Sequence, residues 1–218
     1  MTHRVTAPEI LDSLPPEDPA AVAGRRDLRR INAIMGNHRW ICRRLADWHG
    51  AGSILEIGAG DGSLARRICQ EYPHLSARYH AIDLAPCPEN FPARATWHEI
   101  NLWSPDAAAL LADASVIVCS LVLHHFTDEE LRSLGSRIQR CVRFLACEPC
   151  RRPLHLWQGR LIFPFIHRVT RHDMIVSIRA GFRGGELAAL LGLQSPPWSV
   201  SMEETFFGAG RMAALRSP

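Results

Sequence analysis

The sequence predicts an α/β fold built on a doubly wound, mostly parallel sheet of seven strands. Two patterns predict it: a short apolar segment that runs into closely spaced glycines, and an alternation of strand-like and helix-like segments after it. At 218 residues the chain is long enough for one α/β domain with a substantial core. Its 47% hydrophobic and 22% charged residues are ordinary for a globular protein.

The first pattern lies at residues 54–62, which read Ile-Leu-Glu-Ile-Gly-Ala-Gly-Asp-Gly. The apolar residues predict a buried strand, and Gly58, Gly60 and Gly62 predict a tight turn where the backbone can approach a ligand closely. An amphipathic segment follows from Ser63 and predicts a helix. Nucleotide-like cofactors bind over such turns in open α/β sheets, so this turn is the candidate cofactor site.

The spacing and the charge of this loop narrow the choice of cofactor. A dinucleotide fingerprint needs glycine at its first, third and sixth positions, and here the sixth position is Ser63. Glu56 and Asp61 place two carboxylates beside the turn, where they would repel a pyrophosphate. The loop therefore favours a ligand that has a cationic end and no phosphate.

The second pattern supplies the rest of the sheet. Strands are predicted at 53–58, 78–84, 96–100, 115–120 and 142–148, and helices at 62–71, 105–112 and 128–141. Thr127 and Glu130 form a capping-box pattern, and Ser104 precedes a proline at a second helix start. Two final segments, at about 198–206 and 210–216, are expected to pair as an antiparallel hairpin.

The predicted organisation is an N-terminal helical cap over residues 1–50 and a main domain over 51–218. Two helices are expected between residues 19 and 49, and their paired arginines are interpreted as a solvated face, with an RNA-binding face as the alternative. After Pro149 the alternation breaks. Residues 151–183 are expected to form an inserted lid, which is rich in aromatic and aliphatic side chains.

A carboxylate ends the second predicted strand. Asp83 follows the glycine loop by about twenty residues, where nucleoside-binding folds place an acid that accepts both ribose hydroxyls. Leu84 would then flank the base. The alternative is an acid that merely faces solvent at the end of a strand.

The chain resembles the class I S-adenosyl-L-methionine (SAM) dependent methyltransferases in its glycine loop, in the acid at Asp83 and in the order of its predicted strands. The first motif of that family reads acid-x-Gly-x-Gly-x-Gly, here Glu56 to Gly62. The resemblance extends over about residues 50–216 and implies a Rossmann-like fold with SAM as cofactor. The residues that it implies for binding SAM are Glu56, Gly58, Ala59, Gly60, Asp61, Gly62, Asp83, Leu84, Asn101, Leu102, Ser120 and Leu121. Asn101 and Leu102 would meet the adenine, and Ser120 and Leu121 would lie beside the sulfonium.

The segment that ends in His124-His125 is similar to family members that modify small molecules and quinones. It lacks the Asn-Pro-Pro-Tyr type of tetrad that base-methylating enzymes use. The resemblance therefore implies methylation of a small hydrophobic or aromatic acceptor at oxygen or carbon, as in bacterial secondary metabolism. Either histidine could serve as general base, and the alternative is that one of them caps a helix or satisfies buried backbone.

Other features predict little chemistry. Cys147 and Cys150 form a lone Cys-x-x-Cys pair without matched partners, so no metal is expected, and Glu148 between them is expected to point into the substrate crevice.

The chain opens without a signal-like segment and has no stretch long enough for a bilayer, which predicts a cytoplasmic protein without an integral membrane segment. No nucleic-acid partner is expected, and a homodimer is a further option.

Two alternative functions stay open at this point. The acceptor could be RNA or protein, recognised by the N-terminal arginines, or the chain could bind SAM without transferring its methyl group.

Overall fold

The computed structural model describes residues 1, 3–15 and 17–217, and these fold around one seven-stranded sheet. The sheet order is β3-β2-β1-β4-β5-β7-β6. Strands β1 to β5 pair in parallel, whereas β7 runs antiparallel to both β5 and β6. The strands are Ser53–Ile57 (β1), Tyr79–Asp83 (β2), Thr96–Glu99 (β3), Ala114–Ser120 (β4), Arg143–Pro149 (β5), Trp198–Glu204 (β6) and Ala209–Arg216 (β7). The predicted fold class and its C-terminal hairpin are confirmed.

The helices of the described residues alternate with the first five strands and then fill the segment before the hairpin. The α-helices are Ile10–Ser13 (α1), Pro19–Met35 (α2), Asn37–Leu45 (α3), Ser63–Glu71 (α4), Pro105–Asp113 (α5), Asp128–Arg137 (α6), Pro153–Leu161 (α7), Arg168–Ala180 (α8) and Glu186–Leu190 (α9). Short 3-10 helices span Pro73–Arg78, Leu123–His125 and Phe163–Phe165. Within this described part, no helix combines the length and the apolar character needed to cross a membrane.

Local hydrogen bonds fix the helix starts that the sequence marks. The Thr127 side chain accepts from the Glu130 amide at 3.2 Å, and Glu130 accepts from the Thr127 amide at 2.8 Å, which completes a capping box at α6. The Ser104 hydroxyl accepts from the Ala107 amide, with Pro105 at the first position of α5. Both predicted caps are confirmed.

The sheet divides the core into two apolar layers. Leu55 and Ile57 of β1 face a layer that includes α5, α6 and α9, whereas Ile54 faces a layer that includes α3 and α4. This alternation buries both faces of the central strands, as a parallel sheet requires. Helix α3 therefore packs on the sheet itself.

The N-terminal helices α1 and α2 pack instead against α8, within the inserted segment 151–183. Buried carboxylates join the two regions. Asp173 of α8 accepts from the Ile10 and Leu11 amides at 2.8 and 3.0 Å, and Asp27 of α2 accepts from the His167 amide at 2.7 Å. Carboxylates that accept from backbone amides make strong, directional bonds, so the N-terminus and the insertion are held together.

A substitution at Gly135 of α6 tests the packing of the apolar layer that includes α5, α6 and α9. A Cβ atom there would lie 2.4 Å from the Leu191 carbonyl oxygen, and this backbone contact has no flexible end that could move away. We expect Gly135→Ala to lower the free energy of unfolding by about 2 kcal/mol in urea titrations, because overpacking outweighs the gain in helix propensity. Ser136→Ala, on the exposed side of the same helix, should change it by less than about 0.5 kcal/mol. Equal effects of the two substitutions would contradict this packing.

Candidate functional site

The glycine loop is anchored to the carboxyl end of the neighbouring strand β2. The Gly58 and Ala59 amides donate to the Ile82 carbonyl at 2.9 and 3.2 Å. Gly58 has a φ of +69°, and a Cβ atom there would lie 2.3 Å from Val122. Gly60 has a φ of +56°, and a Cβ atom there would have no other atom within 4 Å. The turn therefore needs glycine at Gly58 for both space and conformation, and it is open on the side of Gly60.

Asp83 completes this anchor at the end of β2. One carboxylate oxygen accepts from the Gly60 amide at 2.7 Å, and the other accepts from the Ala85 amide at 2.9 Å. Each oxygen keeps lone-pair capacity for a further donor. Leu84, the next residue, is 73% exposed. Asp83 thus holds the loop in place and still presents acceptor atoms at the edge of the sheet.

Glu56 lies on β1, just before the loop, and is buried. The Tyr79 hydroxyl donates to its carboxyl group at 2.9 Å. Burial raises the pKa of Glu56 to about 8, and the bond from Tyr79 offsets only part of that rise. Near pH 7 this carboxyl group is therefore largely protonated, and a cation placed beside it would favour its ionised form.

Asp61 carries its charge at the other end of the loop. Burial alone would raise its pKa, but bonds from the Ser63 amide at 3.1 Å and from Arg29 at 3.2 Å outweigh burial and hold the pKa below its usual range. Gly62 has a φ of +68° and begins α4, and its amide donates to the Ala59 carbonyl at 2.9 Å. The loop therefore carries one ionised acid, partly balanced by an arginine of α2.

The segment after β3 contributes a turn. The Asn101 side chain accepts from the Trp103 amide at 2.8 Å, in an exposed Asx turn that leads towards α5. Leu102 is 7% exposed and packs within the apolar layer below the edge. Of this pair, Asn101 stands at the exposed edge of the sheet and Leu102 belongs to the core.

Ser120 and Leu121 end β4 beside the loop. The register pairs Ile57 of β1 with Cys119, so Ser120 follows at the level of Gly58. The Ser120 hydroxyl is buried, and the described residues offer it no hydrogen-bond partner. Leu121 has a φ of +58°, uncommon for a residue with a side chain, and its amide donates to the Cys147 carbonyl at 2.8 Å. An unpartnered buried hydroxyl and a strained residue at one edge are features that accompany ligand sites.

Glu148, at the end of β5, shapes the segment that follows Leu121. Its carboxylate accepts from the Val122, Leu123 and His124 amides at 3.1, 2.9 and 3.3 Å. It also bonds the Nδ1 atom of His124 at 2.7 Å. Glu148 does not point into an open crevice, contrary to the expectation from the sequence. Its carboxylate is used to fix the turn that carries both histidines.

His124 and His125 occupy different environments within this turn. His124 is 3% exposed, and its Nε2 atom lies 3.5 Å from Glu9. Burial lowers its pKa, but the bonds to Glu148 and Glu9 outweigh burial and raise the pKa to about 9. His124 is thus a buried imidazolium without a free lone pair, which disfavours it as a general base. The His125 side chain is 29% exposed and lies 3.5 Å from Asp12.

The structure places the predicted residues at or next to the carboxyl ends of β1, β2, β3 and β4, and of these Leu102 packs into the core. Sequence patterns did not indicate Glu9 and Asp12, because they lie more than 110 residues before the histidines that they approach. Glu9 and Asp12 are recognised only from the folded structure, which places α1 beside the turn after β4.

Comparison with known proteins identifies the scaffold. Residues 54–144 match the family model described as a methyltransferase domain. The plantazolicin methyltransferase BpumL in complex with SAH superposes with a TM-score of 0.72 at 12% identity, over 95% of this chain and 93% of that one. Magnesium protoporphyrin IX methyltransferase from Synechocystis PCC 6803 superposes with a TM-score of 0.55 at 17% identity, over 89% and 94% of the two chains. Human N-acetylserotonin methyltransferase gives 0.58 at 17% identity, over 95% and 61%. No curated protein sequence matches the chain significantly.

The buried carboxyl group of Glu56 makes stability depend on pH. The native state keeps its proton up to about pH 8, whereas an unfolded glutamate releases it near 4.5, so the unfolded state binds fewer protons in this window. The contribution of Glu56 to the free energy of unfolding should therefore be fully present below pH 4.5 and should fall as pH rises towards 8. Glu56→Gln keeps an acceptor for Tyr79 and should flatten this fall in urea titrations at several pH values. Glu71→Gln, at an exposed glutamate, should keep the wild-type slope, and an unchanged slope in Glu56→Gln would disprove the assignment.

Proposed function

We propose that the chain is a class I SAM-dependent methyltransferase and that it methylates a small hydrophobic or aromatic acceptor at oxygen or carbon. The observation that supports this proposal most strongly is the sheet edge formed by the glycine loop, Asp83 and the unpartnered Ser120 hydroxyl. These groups fit a ligand that combines a ribose, a cationic centre and no phosphate. The loop is open at Gly60, where a side chain would otherwise project.

Each residue at this edge is proposed to hold one part of SAM. The backbone of Gly58, Ala59, Gly60 and Gly62 would approach its methionine part, with Glu56 and Asp61 supplying negative charge. Asp83 would accept from the ribose hydroxyls through its remaining lone pairs. Leu84 and Asn101 would flank the adenine, with Leu102 supporting them from the core. Ser120 and Leu121 would lie beside the sulfonium.

When bound, SAM supplies a methyl group on a positively charged sulfur, and the chain must then align an acceptor with it. Displacement at such a methyl needs alignment more than proton relay, so positioning carries most of the expected rate enhancement. His124 positions the turn through Glu148 and Glu9, and this role uses both of its ring nitrogens. We assign the contact with the acceptor's reacting group to His125, whose ring is partly exposed beside that turn.

Covering elements support a small apolar acceptor. Helix α8 and the N-terminal segment lie against the turn after β4. Arg4 of that segment donates to both the Phe126 and Ala180 carbonyls, at 3.0 and 2.8 Å. The inserted segment exposes large apolar groups at Trp157 and Phe165. Such a cover would exclude water from an apolar acceptor, as ligand pockets of this kind do. The structural neighbours are named for plantazolicin, magnesium protoporphyrin IX and N-acetylserotonin.

The arginines on the surface of α2 favour a small-molecule acceptor over an RNA acceptor. Arg29 pairs with Asp61 at 3.2 Å, and Arg30 lies 3.9 Å from the buried carboxylate of Asp27. These arginines therefore have acidic neighbours within the protein, which reduces the charge that they could offer to a phosphate backbone.

Asp83 tests the cofactor site. We expect Asp83→Ala to weaken binding of S-adenosylhomocysteine more than tenfold in calorimetry, because the ribose loses its acceptors and the loop loses its anchor at Gly60. Glu99→Ala is the matched control, since Glu99 is the neighbouring strand-end acid and pairs in register with Asp83. It should keep the affinity within twofold. Unchanged affinity in Asp83→Ala would remove Asp83 from the site.

The acceptor class is tested with SAM that carries a radiolabelled methyl group. The protein is incubated separately with a small-molecule extract, total RNA and a protein extract of its host, with Asp83→Ala as the inactive control. Label is expected only in the small-molecule arm, in solvent-extractable products. Transfer to RNA or protein would replace the proposed acceptor class, and no transfer in any arm would favour a SAM-binding protein without this activity.

A further inference from the structure

A cluster of nitrogen and oxygen ligands lies next to the proposed acceptor site, outside the groups assigned to SAM. Glu9, His124 and His125 each offer one ligand atom, and these atoms all lie within 4.8 Å of one another. Glu9 precedes the short helix α1, and the two histidines lie on the turn after β4. The cluster therefore forms only when the N-terminal segment packs against the sheet edge.

The distances suit a small divalent ion. Transition-metal bonds to imidazole nitrogen or carboxylate oxygen measure about 2.0–2.2 Å, so two ligands in a tetrahedral site lie about 3.4 Å apart. Glu9 Oε1 and His124 Nε2 lie 3.5 Å apart. The His125 ligand atom lies within 4.8 Å of the other two, so it must approach by at most about 1.4 Å, and its ring is partly exposed.

An outer carboxylate lies beside each of the two imidazole rings. Glu148 bonds the Nδ1 atom of His124 at 2.7 Å, which directs its Nε2 atom towards Glu9. Asp12 lies 3.5 Å from the Nδ1 atom of His125. Carboxylate–histidine pairs of this kind fix the tautomer and raise the basicity of metal-binding imidazoles in known sites.

The charge balance also favours a cation. Glu9 and Glu148 are buried, and Asp12 adds a third carboxylate at the rim. Arg4, which donates to the His124 carbonyl at 3.4 Å, is already paired with Asp128 at 2.6 Å. The His124 imidazolium balances one of these three carboxylates, and a dication in place of its Nε2 proton would balance a second. This favours the dication because a buried carboxylate is costly without a compensating charge.

We infer that Glu9, His124 and His125 bind one divalent transition-metal ion of the Zn²⁺ type. Two imidazoles and one carboxylate are a donor set that such ions accept, whereas Mg²⁺ prefers oxygen ligands alone. The ion takes the place of the proton on His124 Nε2, and that proton passes to solvent. Three protein ligands leave a fourth position open.

The use of the ion rests on the proposed function, whereas its binding does not. An oxygen of the acceptor at the open position would be polarised and would lose its proton more readily. His125 would then act on the acceptor through the ion.

The inference is tested by calorimetric titration of chelator-treated, SAM-free protein with Zn²⁺, and separately with Mg²⁺. The titrations use a Cys87→Ser background, because Cys87 is an exposed thiol that could bind zinc on its own. We expect one Zn²⁺ per chain and no measurable Mg²⁺ binding. His125→Gln and Glu9→Gln should each weaken Zn²⁺ binding at least tenfold. His74→Gln, at a histidine of the remote 3-10 helix Pro73–Arg78, should keep the affinity within twofold.

The outcomes separate this inference from the proposed function. Zinc that binds equally well to the wild type, His125→Gln and Glu9→Gln would overturn the site, as would the absence of one-to-one binding. His124 would then be an imidazolium paired with two carboxylates and nothing more. S-adenosylhomocysteine titrated into the same zinc-free protein reports on the SAM site alone, so a failure there leaves the zinc result standing.

Discussion

The hydrogen bonds between the glycine loop and the end of β2 are the constraint on which the site depends. The Gly58 and Ala59 amides are committed to the Ile82 carbonyl, and the Gly60 amide is committed to Asp83. These bonds hold the backbone in conformations with positive φ, which only glycine adopts at low cost. As a result the loop turns back at the carboxyl end of β2, and no side chain projects from it at Gly60. We propose that the neighbouring acids, Glu56 and Asp61, decide which ligands bind beside this loop.

A second carboxylate organises the acceptor side in a similar way. The Glu148 carboxylate hydrogen-bonds three backbone amides and one imidazole of the turn after β4, so a residue of β5 fixes that turn. The N-terminal segment adds to it through Glu9 and Arg4. One edge of the sheet therefore carries the two sites that we propose, one formed by backbone amides and acids and the other by histidines.

The parts of the fold that could be predicted from sequence are those that depend on local spacing. The strand before Gly58, the capping box at Thr127 and the acid at Asp83 each follow from residues close together in the chain. Helix α1 has only four residues, too few to show a helical period, and its approach to the histidines depends on long-range packing. The expectation for Glu148 was wrong for the same reason, because the amides that it binds belong to another strand end.

The most direct test of the account compares two ligands on the unmodified protein. Calorimetry with S-adenosylhomocysteine and with NAD asks whether the proposed site beside Glu56 and Asp61 binds a nucleoside without phosphates or one with a pyrophosphate. The account predicts one-to-one binding of S-adenosylhomocysteine and at least a hundredfold weaker binding of NAD. Tight binding of NAD together with no binding of S-adenosylhomocysteine would contradict it.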